Sequence, residues 1–137
     1  NDACVLAKKP FCHGGIREFQ GQVMTYVPGC GPCYRCIFEE IPADGQIDSC
    51  SQAGVLGTMP GIIGSLQALE AQKYLLGTGD LLRGAMLVFD GLSMEFRKVK
   101  FSKASPSCRV CGEKADIKTL EKLEYEVAAA CEWKGKQ

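Results

Sequence analysis

The sequence has a single histidine among its 137 residues and contains neither Gly-x-Gly-x-x-Gly nor Gly-Lys-Ser/Thr. A metal cluster built from several histidines is therefore excluded, and no glycine-rich phosphate cradle is visible. A Ser/His/Asp set and a pair of carboxylates suited to acid–base catalysis are lacking as well. The chain thus offers no nucleotide site and none of the common hydrolytic sets.

An excess of charge of one sign is also missing. Sixteen basic residues balance sixteen acidic ones, and neither sign forms a long block, so binding to nucleic acid or to an anionic membrane has no electrostatic support. Residues 49–69 carry no charge, but glutamines, a proline and several glycines would make membrane insertion costly. A buried helix is the better interpretation of that run.

Cysteine, in contrast, is abundant. The chain has nine cysteines and no recognisable signal peptide, and an odd number argues against a framework of disulfides. This use of cysteine favours a reducing compartment, and we expect the protein to be located in the cytoplasm.

Two Cys-x-x-Cys pairs, Gly31-Pro-Cys-Tyr-Arg-Cys36 and Cys108-Arg-Val-Cys111, stand far apart in the chain. Two residues between cysteines let one turn present both thiols, and two such turns supply the four sulfurs of a tetrahedral zinc site. Closing the long intervening loop costs little beside the affinity for zinc, about 10 to 16 kcal/mol. We predict a structural Zn²⁺ held by Cys33, Cys36, Cys108 and Cys111. Two separate redox dithiols, or disulfides, remain the alternatives.

The hydrophobic patterns predict an α/β domain spanning the whole chain. A short helix ends near residue 9, and its abrupt start suggests the later part of something longer. Alternating runs at 11–19 and 22–27 predict adjacent antiparallel strands, and runs at 86–89 and 95–101 predict a hairpin turning at Asp90. Residues 37–49 have no apolar period and indicate a loop. Asp116 is expected to cap a last helix reaching about residue 133.

A main helix is predicted over 54–76, ended by Gly77. Small residues and larger apolar residues recur at helical spacing on two neighbouring stripes, and we expect both stripes to be buried. The small stripe would let another backbone, or a second subunit, approach closely. The small-residue stripe consists of Gly57, Gly61, Gly64, Ala68 and Ala71, and the apolar stripe consists of Ile62, Leu66, Leu69 and Leu76.

Four further residues are candidates for chemistry or binding. Cys50 stands just before the main helix, where a helix N-terminus favours the thiolate, so it is the best nucleophile; an inert buried thiol is the alternative. Arg17 could bind a carboxylate or phosphate, or lie on a solvated strand face. His13 is better read as a packed side chain than as a catalytic one, and Asp90 as a turn residue.

Six ordered motifs go beyond residue chemistry and cover nearly the whole chain. They comprise residues 15–23, 31–36, 49–57, 61–71, 89–97 and 108–112, including Gly31-Pro-Cys-Tyr-Arg-Cys36 and Cys108-Arg-Val-Cys-Gly112. Together they resemble the C-terminal half of the ThiF/MoeB/HesA family, the ubiquitin-activating-like adenylyltransferases of sulfur-carrier proteins.

This resemblance implies the second half of a Rossmann-like activating-enzyme fold, a mixed sheet extended by antiparallel strands with helices packed on it. Family members adenylate the C-terminal glycine of a ubiquitin-like sulfur carrier, for thiamin, molybdopterin or related biosynthesis. It also implies that the paired cysteines hold structural zinc, that Cys50 receives the acyl group or takes part in sulfur transfer, and that the loop at 37–49 crosses the carrier tail.

The front half of such enzymes, which binds ATP and Mg²⁺, has no counterpart in this sequence. We therefore expect the chain to be inactive alone and to act as part of a longer protein or beside a separate nucleotide-binding piece. We also expect a homodimer. The alternative is a non-catalytic, zinc-stabilised interaction or dimerisation module whose glycine stripe forms a subunit interface.

Overall fold

The computed structural model describes residues 1–40, 54–101 and 103–120. Four strands form one antiparallel sheet in the order β1-β2-β3-β4, in which β1 is Phe11–Arg17, β2 Gln20–Tyr26, β3 Ala85–Asp90 and β4 Glu95–Lys100. Both predicted antiparallel pairs are thereby confirmed, with His13 opposite Met24 and Phe89 opposite Phe96. Helix α1 is Asp2–Leu6, and a 3-10 turn, Tyr34–Cys36, lies within the first cysteine pair.

Helix α2, Thr58–Leu76, begins four residues later than predicted and ends as predicted. Pro60 lies in its first turn, where a missing backbone N–H does no harm. Gly77 adopts the left-handed conformation with φ 63°, and its N–H closes on the last turn. No helix in these described ranges is long and apolar enough to cross a membrane.

Helix α2 packs on β1 and β2 at a point where the sheet carries no side chain. A Cβ atom on Gly21 would lie 2.4 Å from Ile63 Cδ1, so only glycine admits the helix at this depth. The core between them consists of Val23, Met59, Ile63, Leu82 and Phe89.

A buried carboxylate also joins α2 to the sheet. Glu70 accepts hydrogen bonds from Thr25 Oγ1 at 2.6 Å and from the Leu82 N–H at 2.7 Å, and it forms an ion pair with Lys73. Burial alone would raise the pKa of this carboxyl, but these donors outweigh it and lower the pKa. Glu70 therefore fixes the helix to β2 as a carboxylate.

The predicted burial of the small-residue stripe of α2 is wrong, and only two of the four residues of the apolar stripe are even partly buried. Gly57, Gly61, Gly64, Ala68 and Ala71 are all exposed, and so are Leu69 and Leu76. The helix instead turns Met59, Ile63 and Glu70 fully toward the sheet, with Ile62 and Leu66 partly buried beside them. The described residues supply a packing partner for only this side of the helix.

The helix predicted to start at Asp116 does not form within residues 117–120, which are non-helical. Asp116 instead accepts hydrogen bonds from the Arg109 guanidinium, at 3.0 Å from Nε and 2.8 Å from Nη2. The remainder of that predicted helix, 121–133, and most of the predicted loop at 37–49 lie outside the described residues.

Candidate metal centre

The two cysteine pairs meet in space. Cys33 Sγ lies 3.8 Å from Cys36 Sγ, 3.7 Å from Cys108 Sγ and 3.5 Å from Cys111 Sγ, and Cys36 Sγ lies 3.3 Å from Cys111 Sγ. All four sulfur atoms lie within 4.8 Å of one another. Sulfurs arranged tetrahedrally about 2.3 Å from a zinc ion would be about 3.8 Å apart. The cluster therefore has the donor type, number and size of a four-thiolate metal site.

The turns that present the sulfurs depend on particular backbone positions. Gly31 enters the first turn with φ 122°, a conformation that other residues rarely adopt. A Cβ atom on Gly112 would lie 2.5 Å from the Cys108 carbonyl oxygen, so the second turn closes only around glycine. The Ser105 N–H points at Cys36 Sγ from 3.4 Å, as a donor that would offset thiolate charge.

A second hydrophobic cluster surrounds the sulfurs. Cys33 is fully buried and Cys108 nearly so, together with Tyr26, Val110 and Ile117. The metal centre is thus the middle of a small core of its own, formed between β2 and the two turns. The four distant thiols are gathered at one place, which favours a single metal site over two separate redox dithiols.

Helix α1 is attached to the first turn through its N-terminal residues. Arg35, which lies between Cys33 and Cys36 in the sequence, donates from Nε to both oxygens of Asp2 at 3.1 Å, and both side chains are buried. Asn1 accepts the Tyr34 N–H at 2.9 Å. Nothing in the sequence pattern pointed to Asp2 or Arg35, because a pairing between residues so far apart leaves no local periodicity.

The electrostatics of the cluster oppose four thiolates side by side. Burial, together with the charges of the nearby Cys36 and Cys108 thiolates, raises the pKa of the Cys33 thiol to about 11. Burial likewise raises the pKa of Cys111. At Cys108 burial is outweighed by hydrogen bonds from the backbone N–H groups of Cys111 and Val110, so its pKa is lowered. A divalent cation among the sulfurs is the partner that would keep all four ionised.

A row of rings runs from β1 to the end of the first turn. The His13 ring lies 4.2 Å from that of Tyr34, which in turn lies 4.7 Å from that of Phe38. Burial lowers the pKa of His13. The histidine is therefore a packed ring, as its surroundings in the sequence predicted.

The other candidate residues are not brought to the metal centre. Arg17 is exposed at the end of β1. Asp90 accepts the N–H groups of Leu92 at 2.9 Å and Ser93 at 3.3 Å, which confirms it as a turn residue. Cys50 lies outside the described residues.

Comparisons with known proteins agree with these features. The profile of the ThiF family matches residues 1–110. The SAMP-activating enzyme E1 of Haloferax volcanii is 42% identical over 130 residues, which make up 95% of this chain and 47% of that protein. The adenylyltransferase and sulfurtransferase MOCS3 of Mus musculus is 41% identical over 124 residues, 90% of this chain and 27% of that protein. The chain therefore spans less than half the length of either relative.

Solved structures with the same fold share little sequence. The microcin C7 biosynthetic enzyme MccB in complex with N-formylated MccA superposes with a TM-score of 0.67 at 19% identity, covering 82% of this chain and 36% of that one. A heterocyclase in complex with substrate and cofactor gives a TM-score of 0.65 at 12% identity, covering 82% of this chain and 18% of that one. At such identities the likeness concerns the fold alone.

Proposed function

This chain belongs to the ThiF family, and from that premise we propose that it is the metal-clamped half of an adenylyltransferase that activates a ubiquitin-like sulfur carrier. The observation that carries the proposal is the identity of 42% with the SAMP-activating enzyme E1 over 95% of the chain. The four-thiol cluster supports it, because it lies where the family motifs place paired cysteines.

In the proposed reaction the C-terminal carboxylate of the carrier attacks the α-phosphorus of ATP. A carboxyl–AMP anhydride forms and pyrophosphate leaves; a sulfur nucleophile then attacks the acyl carbon and AMP leaves. This chain has no glycine-rich loop for the nucleotide, so ATP and Mg²⁺ would be bound by a front half, on the same polypeptide or a separate one.

The metal would have a structural role. Cys33, Cys36, Cys108 and Cys111 fill all four positions of a tetrahedral Zn²⁺, which leaves none open for a substrate. When bound, the ion supplies positive charge that holds the thiolates together and so joins residues 33–36 to 108–111. Arg35 and Asp2 would extend that attachment to helix α1.

Two residues are proposed to act on the carrier tail. Cys50 would take the acyl group or carry sulfur, and Arg17 would bind the tail carboxylate before activation. Thiol labelling of Cys50, together with sulfur transfer by a Cys50→Ala variant, tests the first role. An unreactive thiol with unchanged transfer would remove Cys50 from the mechanism and leave adenylation standing.

ATP–pyrophosphate exchange tests the main proposal. The chain mixed alone with ATP and carrier is expected to give no exchange, and addition of a nucleotide-binding front half of the family is expected to restore it. Pyrophosphate exchange by the chain alone would refute the proposal that a separate front half binds ATP. Failure of any combination to adenylate a Gly-Gly-ending carrier would refute the function.

A non-catalytic module that joins subunits is the second candidate. The exposed small-residue stripe of α2, followed by exposed Leu75 and Leu76, favours it because large aliphatic side chains are usually covered. Sedimentation of the wild type and of a Gly64→Leu variant tests for a homodimer. Loss of dimer with adenylation intact would assign the stripe to assembly alone.

A further inference from the structure

A thiol outside the metal centre opens into the same cavity as one of the four clustered cysteines. Among the cysteines that the structure describes, Cys30 is exposed, while the others are buried or half-buried. It lines a cavity of about 790 Å³, whose wall also includes Cys111. Cys33, Cys36 and Cys108 do not line that cavity. A free thiol and one candidate metal ligand are thus open to the same solvent space.

The backbone holds Cys30 at this cavity. Its N–H donates to the Val27 carbonyl at 3.0 Å and so closes a turn, in which Gly29 supplies the left-handed position with φ 73°. The next residue, Gly31, rests against the start of β3, since a Cβ added to it would lie 3.5 Å from the Gly84 nitrogen. The thiol is therefore fixed at the cavity wall by a turn and a backbone contact.

The size of the cavity and the state of its thiols indicate what reacts there. A cavity of about 790 Å³ has the size of pockets that admit small organic molecules. A thiol attacks a disulfide only where the reagent can approach its sulfur. An ion among the four clustered thiolates would share their charge, whereas Cys30 is no member of that cluster. Cys30 is thus the thiol that is placed to attack first.

We propose that a low-molecular-weight disulfide of the glutathione type reacts at Cys30 and that Cys111 completes the reaction, so that a disulfide joins the two residues and the metal leaves. In the first step the Cys30 sulfur attacks the reagent, whose S–S bond breaks, and the released thiolate takes the proton that Cys30 loses. In the second step the Cys111 thiolate attacks Cys30 Sγ, and the other half of the reagent leaves and takes a proton from water. One disulfide is reduced to two thiols while two protein thiols are oxidised.

The cavity selects Cys111 as the partner over Cys33. Cys33 is nearer along the chain, but it is fully buried, and its sulfur lies among the three other sulfurs at 3.8, 3.7 and 3.5 Å. Loss of Cys111 leaves an ion with three thiolates and so weakens its binding. The chain would keep its metal under reducing conditions and lose it as disulfides accumulate. The inference needs the metal site and is independent of the proposed adenylation.

The test treats the intact zinc-loaded protein with glutathione disulfide in the absence of oxygen. It compares the wild type with Cys30→Ser and with Cys4→Ser, a control that removes a half-buried free thiol outside the cavity. Zinc content is measured before treatment, and a chromogenic chelator follows the release of zinc. Remaining thiols are then alkylated, and mass spectrometry maps the disulfides.

The wild type and Cys4→Ser are expected to release their zinc and to contain a disulfide between Cys30 and Cys111, which dithiothreitol reverses. Cys30→Ser should release zinc about tenfold more slowly, or slower still. Equal release by the wild type and Cys30→Ser, retention of zinc by the wild type, or pairing of Cys30 with a cysteine other than Cys111 would overturn the inference, while zinc present beforehand upholds the metal site. A protein without zinc before treatment would overturn both.

Discussion

At the scale of single residues, two cysteines of the four-thiol cluster differ clearly in burial from their neighbour Cys30. Cys33 and Cys108 are buried among apolar side chains, whereas Cys30, three positions before Cys33, is exposed. The chain therefore contains a matched control for every claim about the cluster. The meeting of these four cysteines was predictable from sequence, because the Cys-x-x-Cys spacing is local; the buried pair of Arg35 with Asp2 beside them was not.

Cys33→Ser is expected to abolish stoichiometric metal binding and to destabilise the chain by several kcal/mol, because an ion bound among the sulfurs would hold the small core around them together. Cys30→Ser should retain the metal and unfold as the wild type does. Metal content and urea unfolding measure both effects. Full metal occupancy in Cys33→Ser would contradict the assignment of the ligands.

Glu70 predicts a pH dependence. Its pKa is lowered in the folded state from the ordinary 4.5, so its contribution to stability is complete above that value and is lost as the pH falls through the folded-state pKa. Glu70→Gln should therefore be less stable than the wild type near neutral pH, and the difference should shrink in acid. A difference that is constant from pH 7 to pH 3, measured by urea unfolding, would contradict this role.

At the scale of elements, the hairpins were predictable because alternating apolar residues and the Asp90 turn are written locally. The orientation of α2 was not predictable. A helix with small residues on one side and large apolar residues on the neighbouring side can pack against a partner with either side. The close approach at Gly21 decided it, by letting Ile63 reach the sheet. Because Ile63 faces the sheet, the glycine stripe faces away from it, and the prediction that this stripe is buried was wrong.

Gly21→Ala should destabilise the chain by roughly 1–3 kcal/mol, because the new Cβ would overlap Ile63 and displace the helix. Gly64→Ala is the matched change on the opposite side of α2. No atom lies within 4 Å of a Cβ added at Gly64, so this substitution should stabilise the folded chain by roughly 0.5–1 kcal/mol through helix propensity. Thermal unfolding of both variants tests this prediction. Equal changes in stability for Gly21→Ala and Gly64→Ala would refute the orientation of the helix.

The pair of Asp2 with Arg35 can be compared with that of Asp116 with Arg109, which has the same chemistry on the surface. Asp2→Asn leaves a buried guanidinium without its counter-charge and should cost roughly 3–5 kcal/mol. Asp116→Asn should change stability little, because solvent screens an exposed pair. Equal losses in urea unfolding would show that α1 is not held by the buried pair.

At the scale of the whole molecule, the described residues form two cores on opposite faces of the sheet: one between α2 and the sheet, the other around the sulfurs. Tyr26, at the end of β2, belongs to the second core, while Val23 on the same strand belongs to the first. Residues 36 and 108, which are far apart in the sequence, thus meet at the four-cysteine cluster. Sequence spacing could predict that the pairs meet, but not that a hydrophobic core forms around them.

The central claim is that one zinc ion joins the four thiolates. X-ray absorption at the zinc edge, with metal content determined on the same sample, tests it most directly. We predict one zinc per chain with four sulfur neighbours at about 2.3 Å. A chain purified without stoichiometric metal, or a zinc shell containing nitrogen or oxygen in place of sulfur, would contradict it.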